Sequence, residues 1–382
     1  MIALILANSP QAHDLVAGLK LSERVALTAT HWGATRVRVV EGPDALAHEP
    51  PQGRVLVLWA HVVYDKDLLK GQDWAQDRVW EDASGVVPAL CVDAASLDAE
   101  ALWAMVEPEA FEQLPELAGQ GSAERVATGR AVCVVDDASR KEAEARLWAS
   151  CRKPIDGVVS SSINRHISLF ISRRIAHTGI TPNHISSFCI LVGILAGLVV
   201  LQASDVAIVV GAVLLKINSV VDGVDGELAR VKWAYSKFGE FLDASGDNVA
   251  NFSFFGALTW AMWSRGESTF ALFGVACLAM WLGHLMFVYA QLYKMKRGDV
   301  LLVRQNYDTI DSKALAKIID VLRYKVLRRD FFVMLTLVMC VLGLYGPLLV
   351  IMCVGAAIPF GGDLAHVGIG VFRALRRQPA GA

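Results

Sequence analysis

From residue 183 onward the chain is built of apolar runs, at roughly 184–203, 206–231, 238–263, 268–293, 330–346 and 347–372. Each is close to the roughly 20 residues a helix needs to cross the hydrocarbon core of a bilayer. Inside such a core every backbone polar group must find its partner within the segment, so runs of this kind fold as helices. A 54% hydrophobic content and a mean hydropathy of +0.42 agree with a membrane protein. Positive charge orients the helices: ten Lys and Arg fall between 294 and 329, Arg373, Arg376 and Arg377 follow in the tail, and the turns at 202–205 and 344–347 have none. The positive-inside rule then puts both termini, the basic loop and the 232–237 turn on the cytoplasmic side of the cell's inner (plasma) membrane.

Four carboxylates break the apolar pattern: Asp222, Asp225, Asp243 and Asp247. A charge at bilayer depth costs several kcal/mol (about 2.5 or more) unless it is paired or hydrated, so such a cluster points to function. Asp222 and Asp225 stand at i, i+3 and Asp243 and Asp247 at i, i+4, so each pair shares one helix face. Two such faces meeting would offer hard oxygen ligands to Mg²⁺ or Mn²⁺. Gly226, Ala229 and Gly239 keep the walls low between the pairs, and Arg230 offers a fork for phosphate. Acidic pairs merely bridged to Arg230 and Lys232 would not explain the helical spacing of all four.

The pattern D-x-x-D-G-x-x-A-R, eight residues, then G-x-x-x-D-x-x-x-D resembles the signature of the CDP-alcohol phosphotransferase family, with every fixed position present. The resemblance implies an integral-membrane enzyme that moves a substituted phosphate from a CDP-linked donor to an alcohol and releases CMP. It implies two Mg²⁺ or Mn²⁺ ions held by Asp222, Asp225, Asp243 and Asp247, with Asp247 also the base that deprotonates the acceptor. Gly226, Ala229 and Arg230 would line the CDP pocket, and Gly239 would let the following helix come close. The donor is of CDP-diacylglycerol or CDP-inositol type, the acceptor an alcohol or alcohol phosphate, membrane lipid surrounds it, and a homodimer stays open.

Residues 1–135 read differently. Short aliphatic runs at 2–6, 36–40, 54–58 and 131–135 alternate with helical stretches such as 21–32, the pattern of a soluble Rossmann-like α/β layer with a largely parallel sheet. The first residues, MIALILANSPQ, lack the basic start of a signal peptide and read as a buried first strand. Residues 18–40 and 56–69 resemble parts of a sugar-phosphate nucleotidyltransferase. NSPQAHD, however, replaces the Gly-rich phosphate loop, and Ala60 stands where that family places a metal-binding Asp. We therefore read a degenerate nucleotidyltransferase-like domain, with Asp65 and Asp67 as a solvated turn. The alternative is a bifunctional enzyme that makes its own CDP-inositol, because the whole resembles fusions of an inositol-phosphate cytidylyltransferase to a CDP-alcohol phosphotransferase.

Residues 136–182 link the two domains. A charged helix at 136–150 leads to a segment where Ile163, Ile167, Phe170, Ile171 and Ile175 recur at helical spacing opposite Arg165, Arg173 and Arg174, as in a helix lying in the membrane interface. Thr181 or Asn183 caps the next helix beside Pro182. Residues 183–382 form the membrane domain. The fold expected is thus a soluble α/β domain, an interfacial helix and six transmembrane helices.

Other residues carry less. His284, Asp363 and His366 read as packing or interfacial groups, and Trp233, Trp260 and Trp263 as an interfacial belt. Lys294, Arg297, Arg328 and Arg329 are suited to an acceptor phosphate or to anionic lipid. The seven cysteines are scattered without zinc or disulfide spacing, and a net charge of −2 with no basic-aromatic patch argues against nucleic acid. An ion-coupled transporter would show an inverted repeat, and the aspartate pattern has no second copy. A silent scaffold would show decay of the motif.

Overall fold

The computed structural model describes residues 1–42, 44–45, 51–70, 74, 78–81, 89–96, 99–104, 124–127, 131–152, 156–295 and 328–376. The basic stretch 296–327 and Arg377, on which the orientation argument leans, lie outside the described residues. The chain divides into two compact units. One comprises Met1–Arg152, Ile171–Ile180 and Glu227–Ala234, the other Lys153–Phe170, Thr181–Gly226 and Tyr235–Ala382.

The first unit is an α/β layer. Its elements are β1 (Ile2–Leu6), β2 (Leu15–Val16), β3 (Leu19–Lys20), α1 (Leu21–His31), β4 (Arg36–Val40), β5 (Arg54–Trp59), β6 (Val62–Tyr64), β7 (Arg78–Glu81), β8 (Ala89–Asp93), α2 (Ala99–Ala104), β9 (Glu124–Ala127), β10 (Ala131–Cys133) and α3 (Asp137–Ser150). Six strands form one sheet in the order β4-β1-β5-β8-β7-β9. The sheet is mixed rather than wholly parallel, because β8 runs against both of its neighbours. Central β1 and β5 are aliphatic on both faces and bury both, as a strand covered on each side must.

Two places in this sheet bear on function. After β1, where a nucleotidyltransferase would carry its phosphate loop, Ser9 caps a short 3₁₀ turn, Pro10–His13, by accepting the Gln11 amide at 3.4 Å. After β5, Ala60 is fully buried and donates its amide to the Leu6 carbonyl at 2.9 Å. At α3, Asp136 provides the cap, accepting the Ser139 hydroxyl at 2.6 Å and the Ser139 amide at 2.7 Å, and these bonds hold its carboxyl below the usual range.

The helices that follow are α4 (Arg165–Ile175), α5 (Pro182–Val200), α6 (Asp205–Val231), α7 (Lys237–Ser264), α8 (Ser268–Met295), α9 (Arg329–Val341) and α10 (Tyr345–Arg376). All six predicted apolar segments fall on helices, though six spans are not confirmed. Among the described residues four helices qualify, at Pro182–Val200, Asp205–Val231, Ser268–Gln291 and Tyr345–Leu364. Helix α7 carries Lys237, Glu240, Asp243 and Asp247 in its first half, and α9, 13 residues long, reaches only about 20 Å of the about 30 Å required. The helices are nevertheless those of a membrane protein.

In the second unit small residues set the helix packing. A Cβ on Gly193 would lie 2.4 Å from the Ala250 Cβ, and one on Gly197 2.6 Å from the Ser253 carbonyl oxygen, so α5 and α7 touch backbone to backbone. Phe254, Leu258 and Met262 of α7 then pack into a core with Ile208 and Leu215 of α6 and Leu348 and Leu349 of α10. Thr181 occupies the cap of α5, with Pro182 in its first turn and the Thr181 amide 3.4 Å from His184 Nδ1.

Before and within α4, Ile163, Ile167 and Phe170 are exposed, as the interfacial reading requires. Arg165 departs from it: it is buried and pairs with Asp156 at 2.9 Å instead of lying on the polar face. Trp260 and Trp263 are exposed at the end of α7, whereas Trp233 packs edge-on against His31, 5.3 Å between ring centres, inside the first unit. The cysteines are free thiols, five of the seven buried.

Candidate active site

Helical periodicity puts Asn218, Asp222 and Asp225 along one face of α6. Helix α7 begins when Ser236 accepts the Gly239 amide at 2.8 Å, and Asp243 and Asp247 follow at one-turn spacing. The two helices bring Asp222, Asp225 and Asp243 together, with one carboxylate oxygen from each within 4.8 Å of the others. Asp225 is buried, Asp222 half-buried and Asp243 exposed. Three hard oxygens at this spacing fit a divalent cation, open to solvent on the Asp243 side.

Several partners hold the carboxylates in place. Ser186 of α5 donates to Asp225 at 2.6 Å, and the Gly226 amide donates to its other oxygen. Asp247, not one of these three, pairs with Arg329, the first residue of α9. The same guanidinium donates to Asp222 at 3.0 Å and to the Asn218 side chain at 3.0 Å. Asp330 fixes this end of α9 from the other side, accepting from Ser219 at 3.2 Å and from Asn164 at 3.4 Å, while Lys216 donates to Asn164 at 2.7 Å. Ser186, Asn218 and Asp330 were missed by sequence reasoning, and Arg329 stood there only as one of several basic residues. Its position directly before an apolar run and beside Asp330 was the available signal.

Gly239 packs closely against two side-chain ends. A Cβ there would come within 2.7 Å of Asn183 Oδ1 and 2.9 Å of Ser236 Oγ. The remaining motif residue, Arg230, lines a cavity of about 390 Å³ in the first unit together with Arg24, Tyr64 and Trp233. Arg24, buried there, donates to the carbonyls of Val16 and Val231 at 2.7 Å each, and burial pulls its pKa down to about 10, an effect partly countered by Glu144. Burial raises the Tyr64 hydroxyl's pKa as well, while that oxygen accepts the Trp59 amide at 3.0 Å.

From Asp243, Asp247 and Arg329 a second cavity, of about 580 Å³, extends among α7, α8, α9 and α10. His284 does not line it; its Nδ1 lies 2.6 Å from the buried Asp363. The side chain of His366 lies outside the described residues.

Comparison with known proteins bears on the same part of the chain. Residues 179–358 match the CDP-alcohol phosphatidyltransferase family. The chain carries a CDP-alcohol phosphatidyltransferase domain. All four aspartates lie within it. The chain is similar to a "Bifunctional IPC transferase and DIPP synthase" of Aquifex aeolicus, 37% identical over 103 residues, which is 27% of this chain and 23% of the relative. It is also similar to a protein of that description from Thermococcus kodakarensis, 35% identical over 106 residues, 28% of this chain and 23% of the relative. A "Phosphatidylinositol phosphate synthase" of Corynebacterium glutamicum is 32% identical over 81 residues, 21% of this chain and 36% of the relative. The chain thus spans about a quarter of the length of the first two relatives and about a third of the third.

Proposed function

We propose that the protein is an integral-membrane phosphotransferase that moves a substituted phosphate from a CDP-linked donor to an alcohol and releases CMP. The observation that carries this reading is the convergence of Asp222, Asp225 and Asp243 inside the phosphatidyltransferase domain. Two Mg²⁺ or Mn²⁺ ions, held by these carboxylates and Asp247, would neutralise the pyrophosphate and stabilise the entering and leaving oxygens. The chain's own residues do the rest. Gly226, Ala229, Arg230 and Gly239 receive CDP. Asp247 takes the proton of the acceptor hydroxyl as its oxygen bonds to the donor's alcohol-bearing phosphorus. The bond from that phosphorus to the bridging oxygen breaks, and CMP leaves with the electron pair. Arg329, already bonded to Asp247, fixes which way that carboxylate points. The site opens to the cytoplasm, with both termini on that side of the inner membrane, and residues 1–135, 136–182 and 183–382 act as supporting domain, linker and catalytic domain.

The test is CMP release by purified full-length protein. Chelation should abolish it, Mg²⁺ should restore it, and Asp222→Asn or Asp243→Asn should lower it by orders of magnitude; full activity in chelator refutes the proposal. The bifunctional names of the Aquifex aeolicus and Thermococcus kodakarensis relatives favour a second reading, in which the first unit makes the CDP-alcohol. Pyrophosphate release from CTP in the presence of an alcohol phosphate would establish it, and the packed turns after β1 and β5 count against it.

A further inference from the structure

The cavity of about 390 Å³ lies wholly within the first unit. Its lining comes from α1, from β6 and the turn after it, from β10, from the end of α3 and from Arg230 and Trp233. Neither the Pro10–His13 turn nor Ala60, the two places where a nucleotidyltransferase would hold its nucleotide and metal, is among the lining residues. The cavity is therefore a different place from the degenerate site.

Four of the described lining residues are cationic, Arg24, Lys66, Arg146 and Arg230, and two are anionic, Asp65 and Asp67. One of each sign is already paired outside the cavity: Arg146 meets Glu142 at 2.7 Å and Asp67 meets Lys70 at 3.8 Å. The guanidinium groups of the wall are less well served. Arg230 has no hydrogen-bond or ion-pair partner among the described residues, and its Nε and Nη2 are buried. Arg24, only 2% exposed, gives Nη1 and Nη2 to the carbonyls of Val231 and Val16 and leaves Nε unbonded. Buried donors without an acceptor destabilise the fold, most of all when they carry charge, so these two point to a ligand that supplies acceptors. The pKa of Arg24, pulled down to about 10 by burial although Glu144 counters it, agrees with a cation short of counter-charge.

We propose that this cavity is a phosphate-binding site of the first unit, in which Arg230 supplies the planar fork and Arg24 and Lys66 add positive charge. The proposal goes beyond the phosphotransferase reading and asks Arg230 for a second ligand. Once the paired Arg146 and Asp67 are set aside, three cations face Asp65 alone, an excess of two positive charges among the described lining residues. That excess matches a phosphate dianion better than the single charge of a carboxylate. A guanidinium fork fits two phosphate oxygens at once, which an ammonium cannot do. The volume is in the range of small-molecule sites, and Val63, Val132 and Leu147 give apolar wall beside the charges. There is room for the organic body of a phosphomonoester as well as for free phosphate.

The test is equilibrium dialysis of radiolabelled inorganic phosphate against full-length protein in nanodiscs of neutral lipid, with chelator present throughout. Without metal the aspartate cluster repels phosphate, so the binding measured belongs elsewhere. The expected result is saturable binding that weakens as salt rises, is weakened about 10- to 150-fold by Arg230→Gln and a few-fold by Lys66→Gln, and is unchanged in Asp243→Asn. Lys66→Gln, an exposed rim residue, should release CMP at the wild-type rate; should Arg230→Gln fail to fold, Lys66→Gln decides the matter. Phenyl phosphate that displaces the label at lower concentration than unlabelled phosphate does identifies a phosphomonoester as the ligand, and one that needs an equal or higher concentration identifies free phosphate. Absence of saturable binding in the wild type overturns the proposal. So does binding that both cavity variants leave intact, binding lost in Asp243→Asn, or displacement by acetate as readily as by phosphate. CMP release by a protein that binds no phosphate in chelator overturns the phosphate site alone, and phosphate binding without CMP release from any donor and acceptor pair refutes the phosphotransferase reading alone.

Discussion

Replacing Arg329 with Gln removes the cation that Asp222 and Asp247 share and leaves a shorter, uncharged polar side chain. Asp222 is also one of the three carboxylates that offer oxygens to a metal ion, so guanidinium and metal compete for it. Two unit charges about 4 Å apart attract by about 4 kcal/mol at an effective dielectric near 20. That figure is an upper bound here, because the side chains of Arg329, Asp222 and Asp247 are 22%, 23% and 31% exposed and water screens them. The net value of hydrogen bonds to charged groups, about 1.5–3 kcal/mol, is the better measure. Arg329→Gln should therefore bind a divalent cation about 10- to 150-fold more tightly than the wild type, with the gain shrinking as salt rises. Arg329→Lys, which keeps the charge, should stay near the wild-type value. The assay is a Mn²⁺ titration by electron spin resonance on substrate-free protein in nanodiscs. Unchanged or weaker Mn²⁺ binding by a folded Arg329→Gln protein would refute the competition.

Asp247→Asn separates base from ligand: turnover should fall by about 10² to 10⁴, while the CDP Kd at fixed Mg²⁺ stays within a few-fold of wild type. An affinity loss matching that of Asp222→Asn would assign Asp247 to the metal instead. Gly239→Ala drives a Cβ to within 2.7 Å of Asn183 Oδ1, and the enforced shift should lower the thermal midpoint by the equivalent of about 1–3 kcal/mol and weaken CDP binding, both read from one thermal-shift series with and without CDP. A wild-type melting curve for this variant would show that Asn183 moves aside at no cost.

What the sequence determined alone was periodic or local. The i, i+3 and i, i+4 spacing of the aspartates is a property of one helix at a time, so it was legible before any packing was known. The same holds for the start of α5, where Thr181 was one of two candidate caps, and for the aliphatic runs that form β1 and β5, since each depends on neighbours a few residues away or on continuous aliphatic runs. Packing decided the remainder. Ser186 and Asp225 are 39 residues apart in sequence, Arg329 and Asp222 107, and Arg329 and Asn218 111, and no helical period links such positions. Arg165 could be placed on a polar helix face from its spacing, but its partner Asp156 precedes that helix and took it into the interior. Hydropathy marked apolar stretches without fixing where each helix ends: among the described residues four helices are long and apolar enough to span, while α7 carries charge in its first half and α9 has 13 residues. That one guanidinium, Arg329, meets both Asp222 and Asp247 follows from where α9 begins relative to α6 and α7, a matter of tertiary structure alone.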